Sequence, residues 1–345
     1  MENRASGPAM MGPLPGRPPG GRGSDAIAVS DAVAVTDATQ PSRNCKGAAI
    51  AGIAALFLIQ LASLMPGFAQ GLASFPHTVT GSDGSSVILH RSPERMIVFD
   101  SGGIEILFAI GEADRVVGTH EFASFPPQAN QIQRVGNSYA IDFEKVVSLK
   151  PDLVFLFFDR FVPELRRLGV PVLYLEPPRT LAGVPERIRT WGRIVDRAQA
   201  AENVAREFEA ELRGIEQTLA GIRRGPRIFH DAAPGLWTLG TDSLASDIYR
   251  LLKAENVFAD LSSAHQVSPE ALVARNPEVI ISAHLSGPEF FKTHPAFQAL
   301  RAVKQSRVFV VDAGLISVSG PRLIQGVRQI AQALYPHLFP RAETD

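Results

Sequence analysis

Aromatic side chains follow the ends of predicted β-strands at several points. Phe157 and Phe158 close the apolar run 153–158, while Trp237 and Tyr139 lie in predicted loops that leave strand ends. Aromatic faces combined with a few polar anchors hold large, flat, partly apolar ligands. Because side chains alternate along a strand, only one of the two phenylalanines can face such a ligand, and we assign Phe157.

Four histidines also lie at or near predicted strand ends: His120, His230, His265 and His284. An imidazole in such a loop is a polar anchor for a bound ligand. His265, His284 and His120 are therefore candidate ligand contacts, whereas His230 continues a strand. The alternative for each is a structural or surface histidine.

Motifs for catalysis are missing from the sequence. There is no G-x-S-x-G nucleophile motif, no P-loop and no H-E-x-x-H zinc motif. The only cysteine, Cys45, cannot form a disulfide or a multi-cysteine metal site within one chain. The sequence predicts a binding protein rather than an enzyme, with no catalytic residue, no protein-held metal and no cofactor.

Length and charge limit the remaining classes. The chain has 345 residues and a net charge of −1, with 34 Lys and Arg against 35 Asp and Glu. This length suits two lobes plus an export segment. The balanced charge gives no basic face for nucleic acid. We expect a monomer that binds a small molecule.

The N-terminal part of the sequence predicts export. Residues 1–45 are rich in Gly, Pro, Ala and Ser, which predicts a disordered leader. Segment 46–73 has a basic flank, an apolar run at 47–65 and small residues before cleavage points after Ala69 or Ala73, which is typical of a secretory signal. The alternative is an uncleaved membrane anchor. The predicted location is the periplasm.

Strand and helix signals alternate from about residue 75 onward, which predicts an α/β fold with parallel, doubly wound sheets. Only helical spacing is present at 181–222, which predicts two helices with a break near Arg197. The predicted strands are 87–89, 96–99, 116–118, 153–158, 172–175, 227–229, 279–282 and 308–311, and the main predicted helices are 103–110, 143–149, 243–252, 269–274 and 321–334.

The two halves of this region repeat one pattern. Residues 142–155 align with 268–281, each as a capped short helix, a proline stop and an apolar strand. Residues 95–100 resemble 227–231 in the same way. A duplicated unit of this kind predicts two similar lobes that face each other across a cleft, with the ligand outside the carboxyl ends of the strands.

A series of short motifs occurs in order along residues 91–338. They are PERMIV (93–98), EILFAIG (105–111) with RVVG (115–118), FPP (125–127), VG (135–136), LKPDLV (149–154), LGVPV (168–172), AENVFAD (254–260), QVSPE (266–270) and VFVVD (308–312) with GPR (320–322). Each motif alone is weakly specific. Together they resemble the periplasmic solute-binding proteins of iron–siderophore and cobalamin ABC importers.

This resemblance implies two Rossmann-like lobes with parallel-type sheets, joined by a single long helix, with a shallow and fairly rigid cleft between them. The implied N-terminal lobe is 75–179, the linker helix 180–197 and the C-terminal lobe 198–339. Phe157 and Trp237 match positions where the family places pocket aromatics. His265 precedes a motif whose lead-in loop borders the family's cleft.

The resemblance also implies one exposed glutamate per lobe that meets arginines on an ABC permease in the inner membrane. Glu164 and Glu270 each follow a proline at a predicted helix start, and we assign both to docking. Glu144, the repeat counterpart of Glu270, is the fallback. The alternative role for such a glutamate is stabilisation of the helix dipole.

The predicted function is capture of a metal chelate, an iron–siderophore or cobalamin, and its delivery to the permease. The family often has an arginine a few residues before the GPR motif, but 315–318 has none. This departure weakens the case for a strongly anionic siderophore. Haem capture and a membrane-anchored ligand sensor are the alternatives.

Overall fold

The computed structural model describes residues 75–340. The predicted leader at 1–45 and the predicted signal segment at 46–73 lie outside these residues. Within residues 75–340, no helix combines the length and hydrophobicity needed to cross a bilayer.

A four-stranded parallel sheet forms the N-terminal lobe. An antiparallel hairpin precedes it and joins its β6 edge, where the Ser82 amide donates to the Tyr174 carbonyl at 2.8 Å. The elements in chain order are β1 (His77–Thr80), β2 (Ser86–Leu89), β3 (Met96–Val98), α1 (Ser101–Ala109), β4 (Val116–Thr119), α2 (Phe143–Ser148), β5 (Leu153–Leu156), α3 (Val162–Arg167) and β6 (Val172–Tyr174).

Two helices connect the lobes. They are α4 (Gly183–Ile194) and α5 (Ala198–Thr218), and the predicted break near Arg197 is confirmed. Arg189 of α4 reaches Glu202 of α5, with Nε and Oε2 2.7 Å apart. The linker is therefore a helical hairpin rather than one isolated helix.

A second four-stranded parallel sheet forms the C-terminal lobe, with a short antiparallel ribbon of β8 and β10 beside it. The elements are β7 (Arg227–Asp231), β8 (Trp237–Leu239), α6 (Leu244–Leu251), β9 (Glu255–Asn256), β10 (Ala264–Gln266), α7 (Pro269–Arg275), β11 (Val279–Ser282), α8 (Gly287–Thr293), α9 (Arg301–Lys304), β12 (Val308–Val310), α10 (Ala313–Ile316) and α11 (Leu323–Leu334).

The two lobes have the same strand order. The sheets run β4-β3-β5-β6 and β12-β11-β7-β9, so each reads 2-1-3-4 when its strands are numbered along the chain. The repeat extends to single hydrogen bonds, because Asp152 accepts from the Arg95 amide and Glu278 accepts from the Arg227 amide, at 2.9 and 3.0 Å. The duplication inferred from the sequence is confirmed.

Alternation along the strands divides the apolar core into three clusters. Val98 of β3 and Ile281 of β11 point into one cluster that is shared by both lobes and the linker helices. Their neighbours Ile97 and Ile280 point to the opposite sheet faces, into separate outer clusters. All of residues 75–340 fall in one compact unit, because the shared cluster runs through both lobes.

Candidate functional site

The carboxyl ends of the two sheets meet at one point. Gly102 is the second residue of α1, the helix that follows β3. A Cβ atom placed at Gly102 would lie 2.8 Å from the carbonyl oxygen of Ser319, in the segment that follows β12. Ser319 in turn donates to the Pro178 carbonyl at 3.3 Å. Both sets of strand ends therefore border one cleft, and this contact forms its floor.

Asp100 fixes the N-terminal side of this floor. Its side chain caps α1 by accepting from the Gly102 amide at 3.0 Å. Its Oδ2 lies 3.5 Å from Nη1 of Arg187, a buried residue of α4. Burial raises the pKa of Asp100, and Arg187 opposes that shift. The linker is thus tied to the strand end that borders the cleft.

Phe157 and Phe158 occupy different environments, although the reason differs from the predicted one. β5 ends at Leu156, so strand alternation does not reach either residue. Phe158 packs edge-to-face on Phe99 and Phe161, with ring centroids 5.8 and 6.1 Å apart. Phe157 contacts only Phe158 among these rings, at 5.0 Å. Both side chains are half-buried against the outer core cluster of this lobe.

His120 follows β4, and both of its ring nitrogens have partners. Nδ1 accepts from the Phe122 amide at 3.3 Å, so Nε2 carries the proton in the neutral ring and donates to Ser101 Oγ at 3.0 Å. Burial, with a smaller contribution from Arg134, lowers the pKa of His120 to about 4. The side chain is 6% exposed, so it braces the loop and offers no open nitrogen to a ligand.

Two exposed aromatic residues stand on neighbouring loops of this lobe. Phe122 is 54% exposed and Tyr139 is 51% exposed. Asn137 joins the loops, because its Nδ2 donates to Glu121 at 2.7 Å while its Oδ1 accepts from the Tyr139 amide at 2.8 Å. Sequence reasoning selected Tyr139 but missed Phe122, which its place three residues after β4 could have indicated.

Trp237 and His265 were expected in loops, and this expectation is wrong. They lie in β8 and β10, where His265 pairs with Thr238 and Gln266 pairs with Trp237. Directly paired residues share a face, so Trp237 and His265 project from opposite faces of the ribbon. Thr238 is fully buried and Trp237 is half-buried. One ligand surface cannot use both Trp237 and His265.

His284 belongs to a polar cluster at the ends of β7 and β11. Its Nε2 lies 2.8 Å from Oδ2 of Asp231, and the Ser282 hydroxyl donates to the same oxygen at 2.8 Å. The other ring nitrogen lies 2.9 Å from the Ser286 hydroxyl. Burial raises the pKa of Asp231, while His284 and Ser282 oppose the shift.

This polar cluster anchors the loop after β11, and the tip of that loop is apolar. Leu285, next to His284, is 88% exposed, and sequence reasoning missed it. His230 points elsewhere, with Nδ1 2.6 Å from the Tyr249 hydroxyl, and burial lowers its pKa to about 4. Within residues 75–340, no group of three or more His, Cys, Asp and Glu side chains is arranged to hold a metal ion.

A family model supplies the decisive comparison. The model described as "Periplasmic binding protein" matches residues 96–315. This range contains both four-stranded sheets and every candidate ligand contact, but not the hairpin of β1 and β2. The chain belongs to this family. A periplasmic binding protein acts outside the cytoplasm and binds a solute, and the two-lobed architecture described above agrees with that membership.

Individual relatives extend the comparison. An uncharacterized ABC transporter substrate-binding lipoprotein of Bacillus subtilis, YvrC, is 26% identical over 77% of this chain and 87% of its own length. The crystal structure of the periplasmic vitamin B12-binding protein BtuF of Vibrio cholerae is 27% identical, has a TM-score of 0.64, and covers 70% of this chain and 97% of that chain. The periplasmic haem-binding protein RhuT from Roseiflexus is 23% identical with a TM-score of 0.64, and the match covers 71% of this chain and 99% of that chain. This similarity shows the fold alone.

Proposed function

We propose that this binding protein captures a cobalamin-like metal chelate in the cleft and delivers it to the permease of an ABC importer. The observation that carries the proposal is that exposed apolar side chains lie near two histidines whose ring nitrogens face protein atoms. Phe122, Tyr139 and Leu285 are exposed in the connections that follow β4 and β11, whereas the nitrogens of His120 and His284 contact protein atoms.

Such a surface suits a chelate that brings its own axial ligands. The corrin of a cobalamin presents methyl groups that pack on apolar side chains, and it does not require a protein imidazole, so histidines held by protein atoms are compatible with it. The 27% identity to the vitamin B12-binding protein supports the same ligand class. Haem is the second candidate, because His265 is exposed and haem iron takes an axial histidine or tyrosine.

A strongly anionic siderophore has less support. Segment 315–318 has no arginine, and its Leu315 and Ile316 are buried. The next arginine, Arg322, is committed to Glu105, with Nη2 and Oε1 2.7 Å apart. The C-terminal side of the cleft therefore lacks a free arginine at the place where the resemblance would put one.

Calorimetric titration of the purified chain tests the ligand assignment. We expect cyanocobalamin to bind one-to-one, more tightly than haemin or a ferric hydroxamate siderophore. Trp237→Ala should weaken binding more than tenfold, whereas Ile88→Ala, on the β2 hairpin, should not change it. Absence of cyanocobalamin binding would refute the assignment, and preferential haemin binding that His265→Ala abolishes would establish the second candidate.

The internal repeat favours Glu144, rather than Glu164, as the docking residue that pairs with Glu270. Glu144 on α2 and Glu270 on α7 occupy equivalent positions, each two residues after a capping side chain, Asp142 or Ser268. Within residues 75–340 neither glutamate forms an ion pair. Hydrogen bonds from the Glu270 backbone amide and from Ser268 lower the pKa of the Glu270 side chain, so this carboxylate is charged at neutral pH.

Glu164 fits a docking role less well. It is bound to Arg167 at 2.9 Å, and its other carboxylate oxygen is buried. Its counterpart in the second lobe is Glu289, which follows Pro288 as Glu164 follows Pro163. We therefore propose Glu144 with Glu270 as the docking pair.

Export from the cytoplasm, cleavage of the N-terminal signal and a monomeric, non-enzymatic state complete the proposal. N-terminal sequencing of the exported protein tests cleavage. A mature start near Gln70 or Ser74 is expected. An intact leader would instead support a membrane anchor.

A further inference from the structure

The two proposed docking helices repeat one pattern of exposure. The six residues 143–148 of α2 and the six residues 269–274 of α7 have the same order of exposure: half-buried, exposed, half-buried, buried, exposed and exposed. The buried position is Val146 in α2 and Leu272 in α7. The next position is an exposed valine in both lobes, Val147 at 46% and Val273 at 36%. An exposed apolar residue is thus repeated together with the glutamate.

Each valine shares a helix face with the glutamate of its lobe. Glu144 precedes Val147 by three residues, and Glu270 precedes Val273 by three, a spacing that brings side chains together on a helix surface. Each pair therefore forms one small surface patch with a charged part and an apolar part. We call these two patches the docking patches.

The docking patches lie beside the cleft opening. In a βαβ unit the connecting helix runs antiparallel to the strands, so its N-terminus lies at the carboxyl-end edge of the sheet. The first turns of α2 and α7 hold Glu144 and Glu270, and both sheets direct that edge toward the cleft. A partner that contacts both docking patches would sit over the cleft mouth.

Other exposed apolar residues lack this symmetry. Ile88 lies on the hairpin that only the first lobe has, and Leu168 ends α3, whose counterpart α8 ends in Thr293 and His294. Phe122 and Leu285 belong to the candidate ligand site. Of the exposed apolar residues, the valines of the docking patches form the pair that the duplication places equivalently in both lobes.

We infer that Val147 and Val273 are the apolar contacts of two equivalent docking patches. The partner that fits them is a permease with two equivalent copies of one surface, each with a basic side chain beside an apolar pocket. This inference rests on the proposed docking function and adds the residues that hold the complex together once charge has oriented it. Charge pairs mainly set encounter rate and orientation, whereas buried apolar area slows dissociation.

Binding of the full chain to its ABC importer in lipid nanodiscs, measured by surface plasmon resonance at 50 and 500 mM NaCl, tests the inference. Val147→Ala combined with Val273→Ala should weaken binding about tenfold at both salt concentrations, mainly through faster dissociation. Glu144→Gln combined with Glu270→Gln should weaken binding more at low salt and reduce the salt dependence.

The matched control is Ile88→Ala combined with Leu168→Ala, which should bind the importer like the parent chain. All three variants should keep the parent's affinity for cyanocobalamin, which shows that they fold. If the glutamate pair weakens binding and the valine pair does not, the inference about the valines is wrong and the docking proposal stands. If neither pair matters, or the parent chain does not bind, the docking proposal itself fails.

Discussion

At the scale of single residues, two buried histidines, His120 and His230, each connect two elements of the fold. His120 and His230 are nearly fully buried, and each forms a hydrogen bond through a ring nitrogen to a hydroxyl group, of Ser101 or Tyr249. Burial lowers the pKa of both histidines to about 4. Protonation of either ring therefore opposes folding.

This effect predicts a pH dependence of stability. Between about pH 4 and 6.5 these two histidines bind protons in the unfolded chain but stay neutral in the folded chain. The free energy of unfolding therefore falls as pH falls through that window. From pH 7 to pH 5 the loss is about 2 kcal/mol per histidine. Denaturant unfolding should show a smaller loss for His120→Gln or His230→Gln than for the parent chain.

His90 provides the control for this experiment, because it is exposed. His90→Gln should leave the pH dependence of unfolding unchanged. An unaltered pH dependence in both His120→Gln and His230→Gln would contradict the assignment of buried, neutral rings.

The sequence indicated which histidines follow strand ends but not which way they point. Strand ends can be located from apolar runs such as 116–118 and 279–282. The partners of the rings, Ser101 for His120 and Asp231 for His284, come from other elements, the helix α1 and the strand β7. A pattern of spacing along one segment contains no information about such contacts.

At the scale of elements, two successive glycines allow the start of α1 to fit closely between its neighbours. A Cβ atom at Gly103 would lie 2.8 Å from Cζ2 of Trp191, which packs on Phe155 at 4.6 Å. Gly102 faces Ser319 of the other lobe. The start of α1 can therefore contact the linker and the second lobe only because these positions lack side chains.

Gly103→Ala should destabilise the protein by about 1–3 kcal/mol, because the methyl group must displace the indole ring. Chemical denaturation measures the loss, and a blue or red shift of Trp191 fluorescence in a Trp237→Phe background reports the displaced ring. Gly214→Ala is the control, since that position on α5 is open. It should stabilise by about 0.5–1 kcal/mol, and equal effects at both positions would contradict the packing account.

The long helices and the short strands of the two parallel sheets could be predicted from the sequence, whereas the ribbon of β8 and β10 could not. The helices at 183–194 and 198–218 follow from apolar spacing alone. β8 and β10 have three residues each, and their pairing joins Trp237 to Gln266 across a gap of more than twenty residues. These two strands pair only with each other, outside the parallel sheets, so their strand character depends on that tertiary pairing and Trp237 and His265 appeared as loop residues.

At the scale of the whole molecule, two of the sequence motifs meet as one contact between lobes. Glu105 of α1 is 4% exposed and binds Arg322, with Nη2 2.7 Å and Nε 3.0 Å from Oε1. The Arg322 guanidinium lies 3.3 Å from the ring centroid of Phe125. Gly320 is required beside them, because a Cβ there would lie 2.5 Å from Oε2 of Glu105.

Arg322→Ala should lower the free energy of unfolding by about 3–5 kcal/mol, because it leaves the Glu105 carboxylate buried without its cation. It should also broaden the distribution of lobe orientations, which small-angle X-ray scattering would show as a larger radius of gyration. Arg328→Ala removes an exposed pair with Glu211 and should cost less than about 1 kcal/mol. A similar, small effect of both changes would contradict the role of Glu105 and Arg322 as the contact that fixes the lobes.

The bound position of a cobalt-containing ligand tests the central claim most directly. Crystals of the chain grown with cyanocobalamin and measured at the cobalt edge should show one anomalous peak between the carboxyl ends of the two sheets, flanked by the loops that carry Phe122 and Leu285. A peak elsewhere, or no peak in crystals grown from a saturating solution, would contradict the account.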